Sequence, residues 1–152
     1  VCLLRPYSRG SVSLASAKIS DSPIIDPIFL SDLRDLETLI KGTKFTHDIL
    51  NTPPLEKYKI EEIYGVNNNL TDLDWERHIG DRADTIYNPV GTCKMGNEKL
   101  AVVDSKLKIR GLNNTRIADA SIKPTITSGN TNAPTIMIAE KCSSIILEDY
   151  LK

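Results

Sequence analysis

Tyr87-Asn88-Pro89-Val90-Gly91-Thr92-Cys93-Lys94-Met95-Gly96 is the stretch of this sequence that says most about the fold. Two downstream segments accompany it, Asp119-Ala120-Ser121 and Ser128-Gly129-Asn130-Thr131-Asn132-Ala133-Pro134. Taken singly, such segments predict little more than turns, because a dipeptide such as Asn-Pro favours a turn in any protein. Their order along the chain is more informative than any one of them alone.

Composition predicts one folded domain. The chain has 152 residues, 40% of them hydrophobic, which is enough for a core. Nineteen basic and twenty acidic residues give a net charge of −1, so no charge pattern for nucleic acid or an anionic membrane is present. No apolar run approaches the roughly 20 residues that span a bilayer. Because the start, Val1-Cys2-Leu3-Leu4, is neither an initiator methionine nor a signal peptide, we expect a fragment.

The three cysteines, Cys2, Cys93 and Cys142, are far apart in the sequence. This spacing matches neither a disulfide framework nor a metal site, so we expect buried free thiols and no bound metal. Two glycosylation sequons begin at Asn69 and Asn113. They would be used only in a secreted protein, so the localisation stays unknown and an extracellular location stays open.

The first 50 residues predict a β-hairpin followed by a long helix. Residues 3–6 and 11–15 alternate around a glycine turn, which is typical of two paired strands. The helix is predicted over residues 32–50, where apolar residues recur at three-to-four spacing before a pair of prolines. Ser31 and Asp32 are its candidate caps.

Two shorter helices are predicted next, over residues 56–64 and around 72–81, with residues 67–69 as a loop or cap region. His47 and His78 are interpreted as packed or surface residues of helices.

The second half predicts short strands and then a long helix. Residues 101–104, 106–109 and 115–118 are β-rich pieces separated by turn residues. The last helix is predicted to begin near Asn132 as its cap, with Pro134 in its first turn. Its apolar face, which ends near residue 150, consists of Ile138, Cys142, Ile145 and Ile146.

In this order the segments resemble the C-terminal signature of the glucose-methanol-choline (GMC) oxidoreductases, and in particular the insect glucose dehydrogenases. Further matching segments extend the resemblance over residues 3–148: Arg5-Pro6-Tyr7-Ser8-Arg9-Gly10-Ser11-Val12, Ile25-Asp26-Pro27, Asp35-Leu36 and residues 133–141. The resemblance implies an α+β fold for residues 1–152, which the family completes with an N-terminal Rossmann half. Residues 1–84 would form the antiparallel substrate-binding sheet with its helices. Residues 85–152 would return to the FAD-binding lobe.

The resemblance also implies an FAD-dependent oxidoreductase that acts on CH–OH donors, either alcohols or sugars. In such a reaction a base takes the hydroxyl proton while hydride leaves the carbon for the flavin. The family usually has a histidine before Pro-Val-Gly-Thr-Cys and a histidine or asparagine at a second position. The corresponding residues here are Asn88 and Asn132.

Asn88 therefore occupies the position of the expected base. Imidazole, with a pKa near 6.5, can accept a proton at neutral pH, whereas a carboxamide can only form hydrogen bonds. Asn88 is predicted to orient an alcohol without deprotonating it, which leaves a slower enzyme. Two alternatives stay open: His78 acts as the base, or the chain is a non-catalytic remnant or binding module.

The same resemblance implies which residues contact the cofactor: Tyr87, Asn88, Asp119, Ala120, Asn130, Thr131 and Thr135. A helix that begins near Asn132 would also direct its positive end and unpaired N–H groups at the flavin ring. The sequence contains no G-x-G-x-x-G loop of the kind that holds the FAD pyrophosphate. We therefore expect these residues to bind FAD weakly or not at all without the missing N-terminal half.

Overall fold

The computed structural model describes residues 1–67 and 69–151, and it confirms the α+β class, with helices and a small antiparallel sheet. The elements are β1 (Ser11–Ser13), β2 (Ile24–Asp26), α1 (Leu33–Leu50), α2 (Pro53–Glu56), α3 (Asp72–Arg82), a 3₁₀ helix (Ala120–Ile122) and α4 (Asn132–Tyr150). Asn68, in the predicted loop 67–69, lies outside the described residues.

The chain forms two compact units. The first comprises Val1–Gly10 and Pro27–Ile86, and the second comprises Ser11–Asp26 and Tyr87–Lys152. The division by role into residues 1–84 and 85–152 stays a prediction.

Helix α1 confirms the helix predicted over residues 32–50. Asp32 is its N-cap, and the Asp32 carboxylate accepts a hydrogen bond from the Arg34 amide. At the other end the Asn51 amide donates to the carbonyls of His47 and Asp48. The helix stops there because Pro53 follows and has no N–H with which to continue it.

Asp35, in the first turn of α1, anchors the N-terminal segment. Its buried carboxylate accepts hydrogen bonds from the Tyr7 amide (2.8 Å), the Ser8 amide (2.7 Å) and the Ser8 hydroxyl (2.6 Å). Burial raises the pKa of the Asp35 carboxyl, but the hydrogen bonds from Ser8 and Tyr7 outweigh it and hold the pKa below its ordinary value of 3.8.

These contacts explain why the predicted hairpin of residues 3–6 and 11–15 is wrong. Adjacent amides at Tyr7 and Ser8 are bonded to Asp35, and Pro6 has no N–H to donate, so this segment cannot form a strand ladder. Strand β1 instead pairs antiparallel with β2, with Val12 opposite Ile25.

Helix α3 packs against α1, and it confirms the helix predicted around residues 72–81. Thr71 and Asp74 form a capping box at its start. Trp75 of α3 is buried, and its ring lies between His47 of α1, with 6.1 Å between ring centroids, and His78 of α3, with 6.0 Å. Both histidines therefore pack against an aromatic ring, as predicted.

The helix predicted over residues 56–64 is wrong. A single helical turn, α2, begins at the proline pair and ends at Glu56, because proline suits a first helical turn. Beyond it Ile60 and Ile63 are 97% and 78% exposed. A short helix with no buried apolar face lacks the packing that stabilises helices in proteins.

In the second unit the three predicted strands are reduced to single bridges. Met95 pairs with Val103, Val103 with Ile109, and Lys108 with Arg116. Longer ladders do not form because the backbone enters the left-handed region at Leu107 (φ 63°) and Gly111 (φ 82°). The core of this unit consists of Val103, Leu107, Ile122, Ile138 and Cys142.

Helix α4 contributes a narrower apolar face than the sequence predicted. Ile138 and Cys142 are buried, but Ile145 is half-buried and Ile146 is 45% exposed.

The three cysteines are free, as expected, but they differ in exposure. Cys142 is buried, Cys93 is half-buried and Cys2 is exposed, so the expectation of burial is wrong for Cys2. None of the helices in residues 1–67 and 69–151 has the length and apolar content that crossing a bilayer requires. These residues also contain no group of three or more His, Cys, Asp or Glu side chains that could hold a metal ion.

The N-terminus of α4 differs from the prediction. Thr131 is the N-cap residue and Asn132 is the first helical residue, so the predicted capping role of Asn132 is wrong. The Asn132 backbone N–H instead donates to the side-chain oxygen of Asn130 (2.8 Å). Asn130 thus satisfies one of the N–H groups that a helix leaves unpaired at its start.

Replacing Asp35 by asparagine should destabilise the protein that contains this chain by roughly 2–4 kcal/mol at pH 7, because asparagine replaces one of the two acceptor oxygens by an NH2 group, which cannot accept from the Tyr7 or Ser8 N–H. The folded-state pKa is lowered, so this stabilisation is complete above the unfolded-state pKa and is lost as the pH falls through the folded-state value. Urea unfolding should show that the difference in stability between wild type and variant becomes smaller in acid.

The exposed Asp48 of the same helix provides the control, Asp48→Asn, which should change stability by less than about 0.5 kcal/mol. Equal effects of the two substitutions would refute the anchoring role.

Two matched substitutions test the cap of α4. Asn130→Ala should cost about 0.5–2 kcal/mol as a lost cap. Asn132→Ala, at an exposed first helical position, should cost less than about 0.5 kcal/mol. Urea unfolding of both variants measures the two losses of stability. A larger loss of stability for Asn132→Ala than for Asn130→Ala would support the original prediction that Asn132 is the cap.

Candidate functional site

The first two of the three segments singled out in the sequence run side by side in the second unit. The Cys93 amide donates to the Ser121 carbonyl (3.0 Å) and the Met95 amide to the Ile122 carbonyl (2.7 Å). Asp119 holds the second segment in its turn, because its carboxylate accepts from the Ser121 amide at 2.7 Å. Segment 93–95 is thereby fixed along the 3₁₀ helix.

Gly91 allows the close approach of these two segments. Its φ of +90° is rarely adopted by other residues, and a Cβ there would lie 3.4 Å from the Lys123 carbonyl oxygen. A side chain at residue 91 would therefore strain the backbone, and its Cβ would be in contact with the residue that follows the 3₁₀ helix.

The third segment joins the first through a side-chain hydrogen bond. The Thr131 hydroxyl donates to the Asn88 side-chain oxygen at 2.6 Å, across 43 residues of sequence. Thr131 is buried and Asn88 is half-buried. Two residues that the sequence predicted for one site are therefore in direct contact, and the bond fixes which end of the Asn88 amide faces Thr131.

Behind Thr131 lies a buried lysine that the sequence analysis missed. Lys123 is 6% exposed, and its ammonium donates to the Thr131 carbonyl (3.1 Å) and to the Thr135 hydroxyl (3.2 Å). The Thr135 hydroxyl in turn donates to the Thr131 carbonyl (2.6 Å). The sequence offered one signal for Lys123, which is its position directly after Asp119-Ala120-Ser121-Ile122. A lysine in a loop is usually exposed, however.

The other predicted site residues lie around this network with less contact to it. Tyr87 is 75% exposed and has a φ of 58°. Asp119 is exposed and Ala120 is half-buried in the 3₁₀ helix. Asn130 and Asn132 are exposed at the start of α4. These positions keep Asn130 and Asn132 accessible to a ligand at the helix end.

His78 belongs to a different environment. Its ring packs edge-on against Trp75, and also against Tyr64 with 6.3 Å between ring centroids, all in the first unit. The structure thus gives the ring a packing role within that unit.

The chemistry of the network suits an electron-rich ligand edge. It offers the Asn88 side-chain amide, the positive end of the α4 dipole and the positive charge of Lys123, all of which favour carbonyl oxygens or negative charge. Asn88, Thr131 and Thr135 do not titrate near neutral pH, and Lys123 is the ionisable group of this network. The arrangement can therefore bind and polarise a ligand, but its asparagine and threonines cannot remove a proton at neutral pH.

Comparisons with known proteins agree with this picture. A family model described as GMC oxidoreductase matches residues 6–139. Alcohol dehydrogenase [acceptor] of Pseudomonas putida is 47% identical over 147 residues, which make up 97% of this chain and 27% of that enzyme. Oxygen-dependent choline dehydrogenase of Vibrio vulnificus is 37% identical over 145 residues, covering 94% of this chain and 26% of that protein.

A solved structure of Aspergillus oryzae formate oxidase, from work on its FAD modification, superposes with a TM-score of 0.87 at 31% identity. It covers 97% of this chain, which in turn covers 26% of the oxidase. The chain thus spans about a quarter of the length of these relatives. Because the family model covers most of the chain and the Pseudomonas enzyme is similar over nearly all of it, this chain belongs to the GMC oxidoreductase family.

Proposed function

We propose that this chain is the C-terminal portion of an FAD-dependent oxidoreductase that oxidises an alcohol CH–OH group. The observation that carries the proposal is the hydrogen bond between Thr131 and Asn88, which joins the family signature to the start of α4. Relatives named alcohol dehydrogenase and choline dehydrogenase support the CH–OH donor class. A structural relative studied for its FAD supports the cofactor.

The residues present fit the ring end of FAD. The buried Lys123 and the positive end of the α4 dipole form a positive environment, which suits the carbonyl edge of a flavin ring. Asn88, Asn130, Thr131 and Thr135 are the side chains that we assign to this edge. Bound FAD would supply the acceptor for the substrate hydride.

Tyr87, Asp119 and Ala120 complete the proposed cofactor contacts. Asp119 and Ala120 belong to the segment that we assign to the chain linking the flavin ring to the rest of FAD. The adenosine diphosphate end of FAD would be held by the longer protein of which this chain forms a part.

Asn88 and Asn132 are the residues that we assign to the substrate oxygen. Their amides can orient a hydroxyl group by hydrogen bonds, but neither can accept its proton near neutral pH. We therefore propose that this protein has asparagine where its family usually has a histidine base, and that proton removal limits its rate. A general base is worth about 10²–10⁴-fold, so its loss slows the reaction without abolishing it.

An alcohol is the first choice of substrate class because it is the class that the names of the Pseudomonas and Vibrio relatives share. A sugar is the second choice, and it rests on the sequence resemblance to insect glucose dehydrogenases. The alternative function is a non-catalytic binding module derived from the family, which the neutral Asn88 favours.

The test uses the full-length protein that contains these residues, loaded with FAD. Under anaerobic conditions a primary alcohol, choline and glucose are added separately, and oxidised-flavin absorbance is followed. Bleaching by the primary alcohol or choline is the expected result. Bleaching by glucose alone would favour the sugar, and no bleaching by any of the three would favour the binding module.

Asn88→His should raise the rate of flavin reduction by the preferred substrate about 10²–10⁴-fold at neutral pH, because it supplies the base. The rate of the variant should also rise with pH through the imidazole pKa, whereas the parent should lack this step. His78→Ala is the control for the alternative base. If it abolishes a titration near pH 6–7 in the parent protein, His78 is the base and the assignment of Asn88 is wrong.

A further inference from the structure

We propose that Lys123 is a positioning residue of the flavin site, and that its buried positive charge raises the reduction potential of the bound flavin. This inference rests on the proposed function. It gives a role to a buried ionisable group that substrate binding by Asn88 and Asn132 leaves unexplained.

The first support is the way Lys123 is held. Its ammonium donates to the Thr131 carbonyl and the Thr135 hydroxyl, both at the start of α4. The Thr131 hydroxyl continues the connection to Asn88. Lys123 therefore contacts Thr131, the residue whose hydroxyl orients Asn88.

The second support is the nature of its partners. Several cations elsewhere among residues 1–67 and 69–151 pair with carboxylates, as Lys94 does with Glu98 and Lys44 with Asp72. Lys123 is more deeply buried than either, yet its hydrogen-bond partners are a carbonyl and a hydroxyl. A buried charge without an ionic partner is costly, so this arrangement favours negative charge nearby.

The third support is the position of the Lys123 ammonium at the N-terminus of α4. The start of α4 already carries partial positive charge from the helix dipole, so a cation is disfavoured there and an anion is favoured. Lys123 adds a full charge at the same end. Both contributions stabilise the negative charge that a flavin ring gains on reduction. Because Lys123 is buried, dissolved salt screens its positive charge little.

The experiment compares Lys123→Met, Lys123→Arg and the control Lys141→Met in the full-length flavin-loaded protein. Methionine has a similar length to lysine without the charge, and arginine keeps the charge. Lys141 is an exposed lysine on α4. The flavin midpoint potential is measured by spectroelectrochemical titration, and the urea unfolding midpoint is measured beside it.

Lys123→Met should lower the equilibrium constant for flavin reduction at least about tenfold, which for a two-electron couple is about 30 mV. Lys123→Arg should stay within about threefold of wild type because the charge is kept. Lys141→Met should leave the potential unchanged. The unfolding midpoint of Lys123→Met should not fall, since an apolar replacement of a buried charge is often neutral or stabilising.

An unchanged potential in Lys123→Met, with or without lost stability, would show that Lys123 is only structural and would overturn this inference while leaving the proposed function intact. If Lys123→Met does not fold, Lys123→Gln gives the same comparison, because glutamine is neutral and keeps hydrogen-bond donors. A full-length protein that binds no flavin would overturn both proposals.

Discussion

Thr131 is the residue on which the arrangement of the second unit depends. Its carbonyl accepts the Lys123 ammonium and the Thr135 hydroxyl, and its own hydroxyl donates to Asn88. The carbonyl and the hydroxyl of this buried residue are thereby both satisfied, which removes the cost of burying them. Because the same residue is the N-cap position of α4, the helix start and the orientation of Asn88 are set together.

The apolar core holds this polar network in place. Ile138 and Cys142 of α4 pack with Val103 and Ile122, and the Ile122 carbonyl accepts the amide of Met95. Lys123 directly follows Ile122, so the buried ammonium is attached to a core residue. Side chains that are supported in this way keep a precise orientation, which ligand binding requires.

The family resemblance assigned Asn88 and Thr131 to one site, and the two residues are in contact. Sequence patterns predicted the long helices α1, α3 and α4, because these helices have clear apolar periodicity. They did not predict the partner of β1. The pairing of β1 with β2 and the contact of Asp35 with the Tyr7 and Ser8 amides both join separate segments without a periodic signature. Lys123 was missed for the same reason, since its burial depends on segments that meet only in the folded chain.

In the proposed site, Asn88 and Lys123 differ in which roles of a histidine they can take. A histidine at residue 88 could combine two roles, since imidazole accepts a proton and then carries positive charge. Asparagine retains neither role and offers only hydrogen bonds. Lys123 can replace the charge but not the base, because an ammonium has no lone pair with which to accept a proton. The proposed site therefore favours electron transfer to the flavin more than proton removal from the substrate.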